Sequence, residues 1–402
     1  MSLNDTPSGE RLHIGFFGVR NAGKSSLVNA VTGQELSVVS AVKGTTTDPV
    51  RKAMELLPLG PVVIIDTPGL DDGGELGEKR IKKAREILAK TDLAVLVVDA
   101  RQGPGPLDRE LLALFAERKL PYVVARNKAD LLPERPALAP NEMFVSALTG
   151  ENVHELKELL GAFAKELENP RRLVSDLLAP GEGAVLVVPI DASAPRGRLI
   201  LPQQQVMRDL LDAHCAFAVC QPEELRETLA SLGKQPRLVI TDSQAFGPVS
   251  RDTPEDIWLT SFSILFARYK GNLHTLVRGA ARLKSLRDGD RVLISEGCTH
   301  HRQCNDIGTV KLPGWIAAFC GARPAFSFTS GGEFPEKLTD YALVVHCGGC
   351  MLNEKEMGRR VKAAEAAGIP IVNYGVAIAH LHGLLRRSLA PFPEALRLLE
   401  ES

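Results

Sequence analysis

Cysteine and histidine residues gather in two short stretches of the last third of the chain, EGCTHH from residue 296 and VVHCGGC from residue 344. Each stretch follows a short apolar run, at residues 291–295 and 341–345, that is typical of a buried strand. Because parallel strands present their carboxyl ends at one edge of a sheet, we expect both stretches to converge on one pocket. The side chains there that can bind a metal are Cys298, His300, His346, Cys347 and Cys350.

The spacing of these residues leaves the identity of the metal open. Three thiolates with an asymmetric fourth position suit a 4Fe–4S cluster, in which a histidine can replace one cysteine. Zinc prefers four closed ligands, and three cysteines with one histidine would serve, but only Cys347 and Cys350 have the spacing of a zinc knuckle. A redox-active or structural cysteine pair is the third alternative. His301 and Cys304 lie close enough in sequence to compete as ligands.

An apolar run at residues 13–18 opens into GVRNAGKS, which fits the pattern GxxxxGKS and is followed by a helical pattern at 26–31. In such a loop the backbone N–H groups surround the β-phosphate of a nucleotide and the lysine reaches the β- and γ-phosphates. The hydroxyl after the lysine binds Mg²⁺. The predicted nucleotide-binding residues of this loop are Gly18, Asn21, Gly23, Lys24, Ser25 and Ser26.

Two later segments have the composition of switch loops that complete a phosphate and magnesium site. The first is GTTTD at residues 44–48, from which we expect Thr46 to bind Mg²⁺. The second is DTPG at residues 66–69, where Asp66 would hold Mg²⁺ through water and the Gly69 N–H would contact the γ-phosphate. Lys24, Thr46, Asp66 and Gly69 are therefore the predicted catalytic residues, and GTP, GDP and Mg²⁺ the predicted ligands.

Two further segments are typical of guanine recognition. In Asn127-Lys128-Ala129-Asp130, the aspartate would accept from the N1 and N2 hydrogens that adenine lacks. Ser146 and Ala147 belong to a loop whose backbone N–H would meet guanine O6. Five motifs in the expected order predict a GTPase domain.

The chain has 402 residues, of which 44% are hydrophobic and 24% are charged, as in an ordinary globular protein of two or three domains. A formal net charge of −1 argues against nucleic acid as the main partner, and no apolar run approaches the ~20 residues of a membrane span. Seven cysteines and a polar N-terminal segment favour a reducing compartment. We therefore expect a cytoplasmic protein that has neither nucleic acid nor a membrane as partner.

Alternating strand and helix patterns predict an α/β fold class along the whole chain. The middle segment lacks clustered polar residues that could do chemistry, which favours a role in assembly, and we expect Cys215 and Cys220 in its core. We also expect a helix over residues 256–269 and a final helix over 376–387. The predicted domains are a P-loop GTPase domain (1–171), a small α/β dimerisation domain (172–268) and a C-terminal parallel α/β domain that binds the iron–sulfur cluster (269–402).

Over residues 10–170 the motifs resemble those of the TrmE–Era branch of GTPases, through Asn21, the GTT of residues 44–46 and the DTPG of residues 66–69. Leu70 stands where Ras-type enzymes place a glutamine that orients water, so we expect slow intrinsic hydrolysis. In the branch that the chain resembles, the P-loop asparagine helps to bind a K⁺ that takes the place of an arginine finger. The resemblance thus implies that Asn21 binds K⁺ and that K⁺ stimulates hydrolysis.

With a GTPase at one end and C-x-H followed by H-C-x-x-C at the other, the whole chain resembles the HydF family of FeFe-hydrogenase maturation GTPases. The resemblance implies that Cys298, Cys347 and Cys350 ligate a 4Fe–4S cluster, with His300 or His346 as a weak or absent fourth ligand. It also implies a scaffold that accepts a transient binuclear iron precursor from radical-SAM maturases and hands it to apo FeFe-hydrogenase. We expect a homodimer or a higher oligomer.

Two other classes of protein stay open. One is a ribosome- or tRNA-modification-associated GTPase with a structural zinc site, which a basic patch would support and the flat charge balance disfavours. The other is a redox enzyme in which the cluster transfers electrons, for which four fixed cysteines are expected and only three are well spaced.

Overall fold

The computed structural model describes residues 11–35, 50–67, 85–167, 172–190, 199–270, 273–297, 307–331, 333–349, 352 and 354–401. The chain divides into two compact units, residues 4–169 and residues 170–402. Within the described ranges, no helix combines the length and the apolar character that crossing a membrane requires.

The N-terminal unit is built on a six-stranded sheet of order β2-β3-β1-β4-β5-β6. Five strands are parallel, and β2 pairs antiparallel with β3. All seven side chains of β4 are buried, as expected of a strand that is covered on both faces, and two separate apolar cores lie on the two faces. The strands are β1 Leu12–Phe17, β2 Val50–Leu56, β3 Gly60–Asp66, β4 Leu93–Asp99, β5 Tyr122–Asn127 and β6 Glu142–Phe144, and the described helices are α1 Lys24–Thr32, α2 Pro106–Glu117 and α3 Val153–Glu166.

The C-terminal unit contains two parallel four-stranded sheets that share one strand order. The order is β8-β7-β9-β10 in the first sheet and β12-β11-β13-β14 in the second. One continuous buried core, mainly of Val, Leu and Ile, extends through both sheets. In a sheet of this order the ligand site is expected where the first and third strands lie side by side, at their carboxyl ends. In the second sheet these are β11 and β13.

Helices alternate with the strands of this unit, as the sequence pattern predicts. The strands are β7 Gly183–Val187, β8 Ala216–Cys220, β9 Leu238–Thr241, β10 Trp258–Ser261, β11 Arg291–Ser295, β12 Ala325–Thr329, β13 Leu343–His346 and β14 Ile371–Asn373. The helices are α4 Leu201–Asp212, α5 Leu225–Ser231, α6 Phe246–Asp252, α7 Phe262–Tyr269, α8 Leu273–Ala281, α9 Leu312–Cys320, α10 Glu354–Ala366, α11 Tyr374–Leu381, α12 Leu385–Ser388 and α13 Pro393–Glu400.

The predicted helix over residues 256–269 is wrong in its first half, which forms strand β10. Ser261 ends this strand, and its side chain accepts from the Ile264 N–H at 3.2 Å, so that it caps α7. The hydrophobic pattern could not distinguish the two structures here, because a short apolar run fits a buried strand and a buried helix equally well. The predicted final helix is also wrong, because α11 and α12 are separate and α13 follows them. Cys215 and Cys220 are buried, as predicted.

We expect His380 on α11 to make the stability of this unit sensitive to acid. Its ring packs against Phe319 at 5.3 Å, and its Nε2 is buried with no hydrogen-bond partner among the described residues. Burial, and then the charge of Lys284, lower the pKa of His380 below its ordinary value of about 6.5. The unfolded chain therefore binds this proton more readily than the folded one. The stability that neutral His380 contributes is complete above about pH 6.5 and is lost as the pH falls through the folded-state pKa.

We expect His380→Phe to lose less thermal stability than the wild type when the pH is lowered from 7 to 5. His382→Phe is the matched control, because His382 is an exposed neighbour that packs on Trp315. Thermal unfolding at several pH values measures the difference. An equal acid response in the wild type and in His380→Phe would contradict the assignment.

Candidate nucleotide site and metal centre

The loop that follows β1 ends at the N-terminus of α1. Gly18 follows the strand, and Lys24, with 8% of its surface exposed, is the first residue of the helix, ahead of Ser25 and Ser26. Gly23 adopts φ +86°, and a Cβ there would lie 2.2 Å from the side-chain nitrogen of Asn127. A tight glycine turn before a helix N-terminus is the arrangement that binds phosphate.

Asn127, at the end of β5, connects this loop to the predicted guanine-reading segments. Its side chain donates to the Ala22 carbonyl at 3.0 Å and accepts from the Ala147 N–H at 3.0 Å. The neighbouring Lys128 donates to the carbonyl of Asn21 at 2.6 Å. Asn127 and Lys128 therefore join the P-loop to the predicted guanine-reading segments through their side-chain hydrogen bonds.

Asp99, at the end of β4, belongs to this site although the sequence analysis did not single it out. It accepts two hydrogen bonds from the Arg101 side chain, at 3.0 and 2.7 Å, and one from Lys128 Nζ at 2.7 Å. The Arg101 guanidinium, with help from Lys128, holds the pKa of this carboxyl far below its usual range. A charged Asp99 thus fixes the ammonium of Lys128. Its position at the carboxyl end of a fully buried strand was the available signal.

Asp130 and Ser146, both predicted to lie at the nucleobase, are in contact with each other. The Ser146 hydroxyl donates to Asp130 Oδ1 at 2.6 Å and accepts from the Thr149 N–H at 3.1 Å. Ser146 is buried, whereas Asp130 is exposed. The buried hydroxyl therefore orients a carboxylate that stays open to a ligand.

Two of the predicted magnesium ligands lie together. The Ser25 hydroxyl donates to Asp66 Oδ2 at 3.1 Å, which brings the end of β3 to the start of α1. Hydroxyl and carboxylate oxygens are ligands that Mg²⁺ prefers. Thr46 and Gly69, the other predicted catalytic residues, lie outside the described residues.

The two cysteine-bearing loops meet at a single sulfur atom. β11 and β13 pair in parallel with Ser295 opposite His346, so their carboxyl ends lie side by side, as predicted. The Sγ of Cys347 accepts from the N–H of Gly297, in the loop after β11, at 3.0 Å. It also accepts from the N–H of Gly349 at 3.4 Å. N–H groups directed at a sulfur stabilise the thiolate form, which is the form that binds metals.

His346 does not present a free ring nitrogen at this site. It is the last residue of β13, one position beyond the predicted strand, and it is fully buried. Its Nδ1–H donates to the Cys347 carbonyl at 2.7 Å, and its Nε2 accepts from Arg360 at 3.1 Å. Burial lowers the pKa of His346 to about 4. These contacts describe a neutral imidazole behind Cys347 with both ring nitrogens hydrogen-bonded, and its role as a ligand stays a prediction.

Cys298, His300 and Cys350 lie outside the described residues, as do His301 and Cys304. In the part of the chain that the structure describes, no group of three or more Cys, His, Asp or Glu side chains is arranged to hold a metal.

Lys270, Glu296 and Tyr374 border the cysteine loops and were not predicted. Lys270, directly after α7, donates to the carbonyls of Gly349 at 2.5 Å and of Leu352 at 3.2 Å. Across the site the Tyr374 hydroxyl donates to Glu296 Oε1 at 3.0 Å. Neither contact has a local signal in the sequence, because each joins residues more than 70 positions apart.

The sheet order and the nucleotide site define the N-terminal unit as a P-loop GTPase domain. A family model described as 50S ribosome-binding GTPase matches residues 13–128. The hydrogen maturase F dimerization domain matches residues 173–271, and the hydrogen maturase F tetramerization domain matches residues 274–391. Because two domain models of one family match nearly all of the C-terminal unit, the chain belongs to the hydrogen maturase F family.

Curated relatives share a shorter part of the chain. The tRNA modification GTPase MnmE of Xanthomonas euvesicatoria pv. vesicatoria is 36% identical over 167 residues, which are 40% of this chain and 37% of the relative. The MnmE of Nitrosomonas europaea is 35% identical over 156 residues, or 38% and 34% of the two chains. The chain thus spans about a third of the length of these relatives.

Solved structures of GTPases are similar over part of the chain. Era from Aquifex aeolicus is 19% identical with a TM-score of 0.33, over 60% of this chain and 97% of that one. The G domain of the T. maritima FeoB protein is 26% identical with a TM-score of 0.30, over 39% of this chain and 99% of that one.

Proposed function

We propose that the protein is a GTP-hydrolysing scaffold that holds a 4Fe–4S cluster and a binuclear iron precursor and delivers the precursor to apo FeFe-hydrogenase. The observation that carries this proposal is the contact of both loops with the sulfur of Cys347. The two residues whose N–H groups reach that sulfur, Gly297 and Gly349, directly precede Cys298 and Cys350. Since consecutive Cα atoms are about 3.8 Å apart, three thiolates can reach one cluster.

The chemistry of this donor set fits an iron–sulfur cluster. Such clusters are held by thiolates, and hydrogen bonds to the sulfurs tune their potential. Gly349 adopts φ +62°, which turns the chain tightly between Cys347 and Cys350. A cluster held by three thiolates supplies an iron atom whose fourth ligand exchanges. That property suits a protein that accepts and releases an iron-containing substrate, taken from radical-SAM maturases and passed to the hydrogenase.

The nucleotide half of the proposal follows from the P-loop geometry. Lys24 at the start of α1 would neutralise charge on the β- and γ-phosphates, and Ser25 with Asp66 would position Mg²⁺ beside them, together with Thr46 and the Gly69 N–H. Asp130, oriented by Ser146, would select guanine. Hydrolysis is expected to be slow, because Leu70 cannot orient the attacking water.

Asn21 is the residue that we propose as the K⁺ ligand. It lies in the P-loop at φ +63°, and its carbonyl is already held by Lys128. Asn21→Gly keeps this backbone conformation accessible and removes the side-chain oxygen. We expect the rate of GTP hydrolysis in KCl to fall about 10²-fold, a typical loss for one electrostatic stabiliser, with the rate in NaCl unchanged.

Asn21→Asp is the control for this prediction, since it keeps a side-chain oxygen and should keep most of the K⁺ response. Hydrolysis rates in matched KCl and NaCl buffers measure both variants. A wild-type rate that is equal in the two salts would rule out the K⁺ site.

The dimerization and tetramerization domains imply that the protein assembles with copies of itself. For the dimer we propose the outer edge of β8. In the described part of the chain no strand pairs with this edge, and Val219 on it is 45% exposed. Leu211 on the adjacent α4 is 59% exposed. An unpaired edge with exposed apolar side chains is a template for pairing with a second copy.

Metal analysis of protein purified without air tests the central claim. We expect about four iron and four sulfide per chain and no stoichiometric zinc. The proposed carrier role further requires that the protein, loaded by the maturases, activates apo FeFe-hydrogenase. Stoichiometric zinc without sulfide would rule the proposal out.

A second candidate function is supported by the curated relatives, which are tRNA modification GTPases. In that case the cysteine loops would hold a structural zinc, and the same metal analysis distinguishes the two functions.

A further inference from the structure

Arg360 on α10 is a fully buried arginine whose guanidinium makes several polar contacts. Its Nε donates to Glu356 Oε1 at 3.0 Å, and its Nη2 donates to the Gly331 carbonyl at 2.9 Å. Its Nη1 lies 3.1 Å from His346 Nε2 and 3.5 Å from Ser295 Oγ. A buried guanidinium with this many partners is held in one orientation.

Apart from Glu356 on the same helix, the partners of Arg360 lie where three neighbouring strands end. Ser295 is the last residue of β11, and His346 is the last residue of β13. Gly331 lies in the segment after β12. Strands β11 and β13 continue directly into the loops that meet at Cys347. One side chain therefore fixes the starting points of both cysteine loops.

The buried charges around this side chain are those of Arg360 and Glu356, which form an ion pair. Glu356 is the carboxylate bound to Arg360, and it also accepts two hydrogen bonds from Arg359, each at 2.8 Å. Lys270 adds a further ammonium at the other side of the loop, against Gly349. The guanidinium of Arg360 is permanently charged, and it lies 3.1 Å from the ring of His346, the residue that directly precedes Cys347.

We propose that Arg360 is the positioning residue of the cluster site, which aligns the two cysteine loops and supplies fixed positive charge behind Cys347. This inference rests on the proposed function. Outer-shell residues of this kind typically change metal affinity by 10–100-fold, and nearby charge and hydrogen bonds set the reduction potential of a cluster.

The test compares Arg360→Met, Arg360→Lys and Arg359→Met in the full chain. Each is reconstituted without air with iron and sulfide. The measurements are the iron and sulfide content, the rate of iron loss to a chelator and the midpoint potential from a redox titration followed by electron paramagnetic resonance. Arg359 is the matched control, because it binds the same carboxylate but its side chain is 44% exposed.

We expect Arg360→Met to bind the cluster about 10–100-fold more weakly and to shift its midpoint potential to more negative values. Arg360→Lys keeps the charge and loses the planar fork, so its potential should stay near the wild-type value while its cluster is lost faster. Arg359→Met should match the wild type in both. A purely structural role would not separate affinity from potential in this way.

Arg360→Met leaves a buried carboxylate with fewer partners and can fail to fold, which a thermal melt of the apo protein would reveal. In that case Arg360→Met is combined with Glu356→Gln, which removes both buried charges, so the faster loss of the cluster should persist while the shift in potential becomes smaller. Wild-type affinity and potential in the methionine variants would overturn the inference, as would equal changes in Arg359→Met. Wild-type protein without iron or sulfide would instead refute the proposed function.

Discussion

Simultaneous replacement of Cys298, Cys347 and Cys350 with alanine is expected to abolish iron and sulfide binding while GTP hydrolysis continues. Cys347 already accepts two N–H hydrogen bonds from the residues that precede the other two cysteines, so all three thiolates serve one site in the proposed function. Without thiolates the loops offer no ligand set that can hold a cluster. The nucleotide residues lie on a different sheet in the other compact unit. We therefore expect the hydrolysis rate to stay within about twofold of the wild type, as for substitutions that do not touch the transition state.

The control for this experiment replaces Cys215, Cys220 and Cys320 with alanine. Cys215 and Cys220 are buried at the two ends of strand β8, Cys320 ends helix α9, and their loss removes the same number of thiols. Iron and sulfide analysis and GTP turnover are measured on both proteins. Iron retained by the loop variant, or lost equally by the control, would contradict the assignment of the ligands.

Asp130→Asn is expected to exchange the nucleotide preference of the GTPase domain. The carboxylate can accept from both N1–H and N2–H of guanine, and hydrogen bonds to charged groups contribute about 1.5–3 kcal/mol each. Their loss should weaken GTP binding by about 10³-fold. Xanthine carries an oxygen in place of the 2-amino group, so the amide nitrogen of an asparagine can donate to it. Xanthosine triphosphate should therefore bind Asp130→Asn better than GTP does.

Glu134→Gln is the matched control, because it removes a carboxylate from an exposed residue four positions along the chain. Fluorescent nucleotide titrations and hydrolysis assays with both triphosphates measure the effect. Asp130→Asn protein with wild-type GTP affinity would show that Asp130 is not the guanine reader.

The proximity of the described residues of the predicted nucleotide site could be anticipated from sequence, because each of them belongs to a short contiguous motif next to a buried strand. Asp66 and Asn127 end two of the parallel strands of one sheet, so strand order alone brings them to the P-loop. The same reasoning predicted that the loops after β11 and β13 converge, and the described parts of both loops are in contact.

Three structural features could not be predicted from the hydrophobic pattern of the sequence. Strand β2 was not predicted, because it lies at the edge of its sheet and alternates polar and apolar residues only weakly. Helix α9 was missed because its apolar sequence resembles that of a buried strand. The sequence predicts a loop at His346, whereas the strand extends over it and turns its ring towards Arg360.

The buried charged residues of α10 are a signal in the sequence that points to Arg360. On α10 the buried side chains include Glu356, Met357, Arg360, Val361 and Ala364, which recur at helical spacing. Two charged residues on the apolar stripe of a helix require buried partners, and this requirement indicates a polar site inside the protein. Glu356 and Arg360 are partners of each other at a spacing of four, whereas the other partners of Arg360 are 14 to 65 positions away and only the three-dimensional structure identifies them.

Lys270 belongs to the segment that the dimerization-domain model matches, yet its ammonium holds carbonyls of the loop between Cys347 and α10. A residue of the dimerization-domain segment therefore helps to hold a loop of the tetramerization-domain segment. A fragment that begins at residue 274, where the tetramerization-domain match starts, would keep every cysteine of the two loops. It would lack Lys270, whose ammonium binds two carbonyls of one of these loops. Movement of α7 caused by a bound partner would likewise reach Gly349, two residues after Cys347, through the single side chain of Lys270.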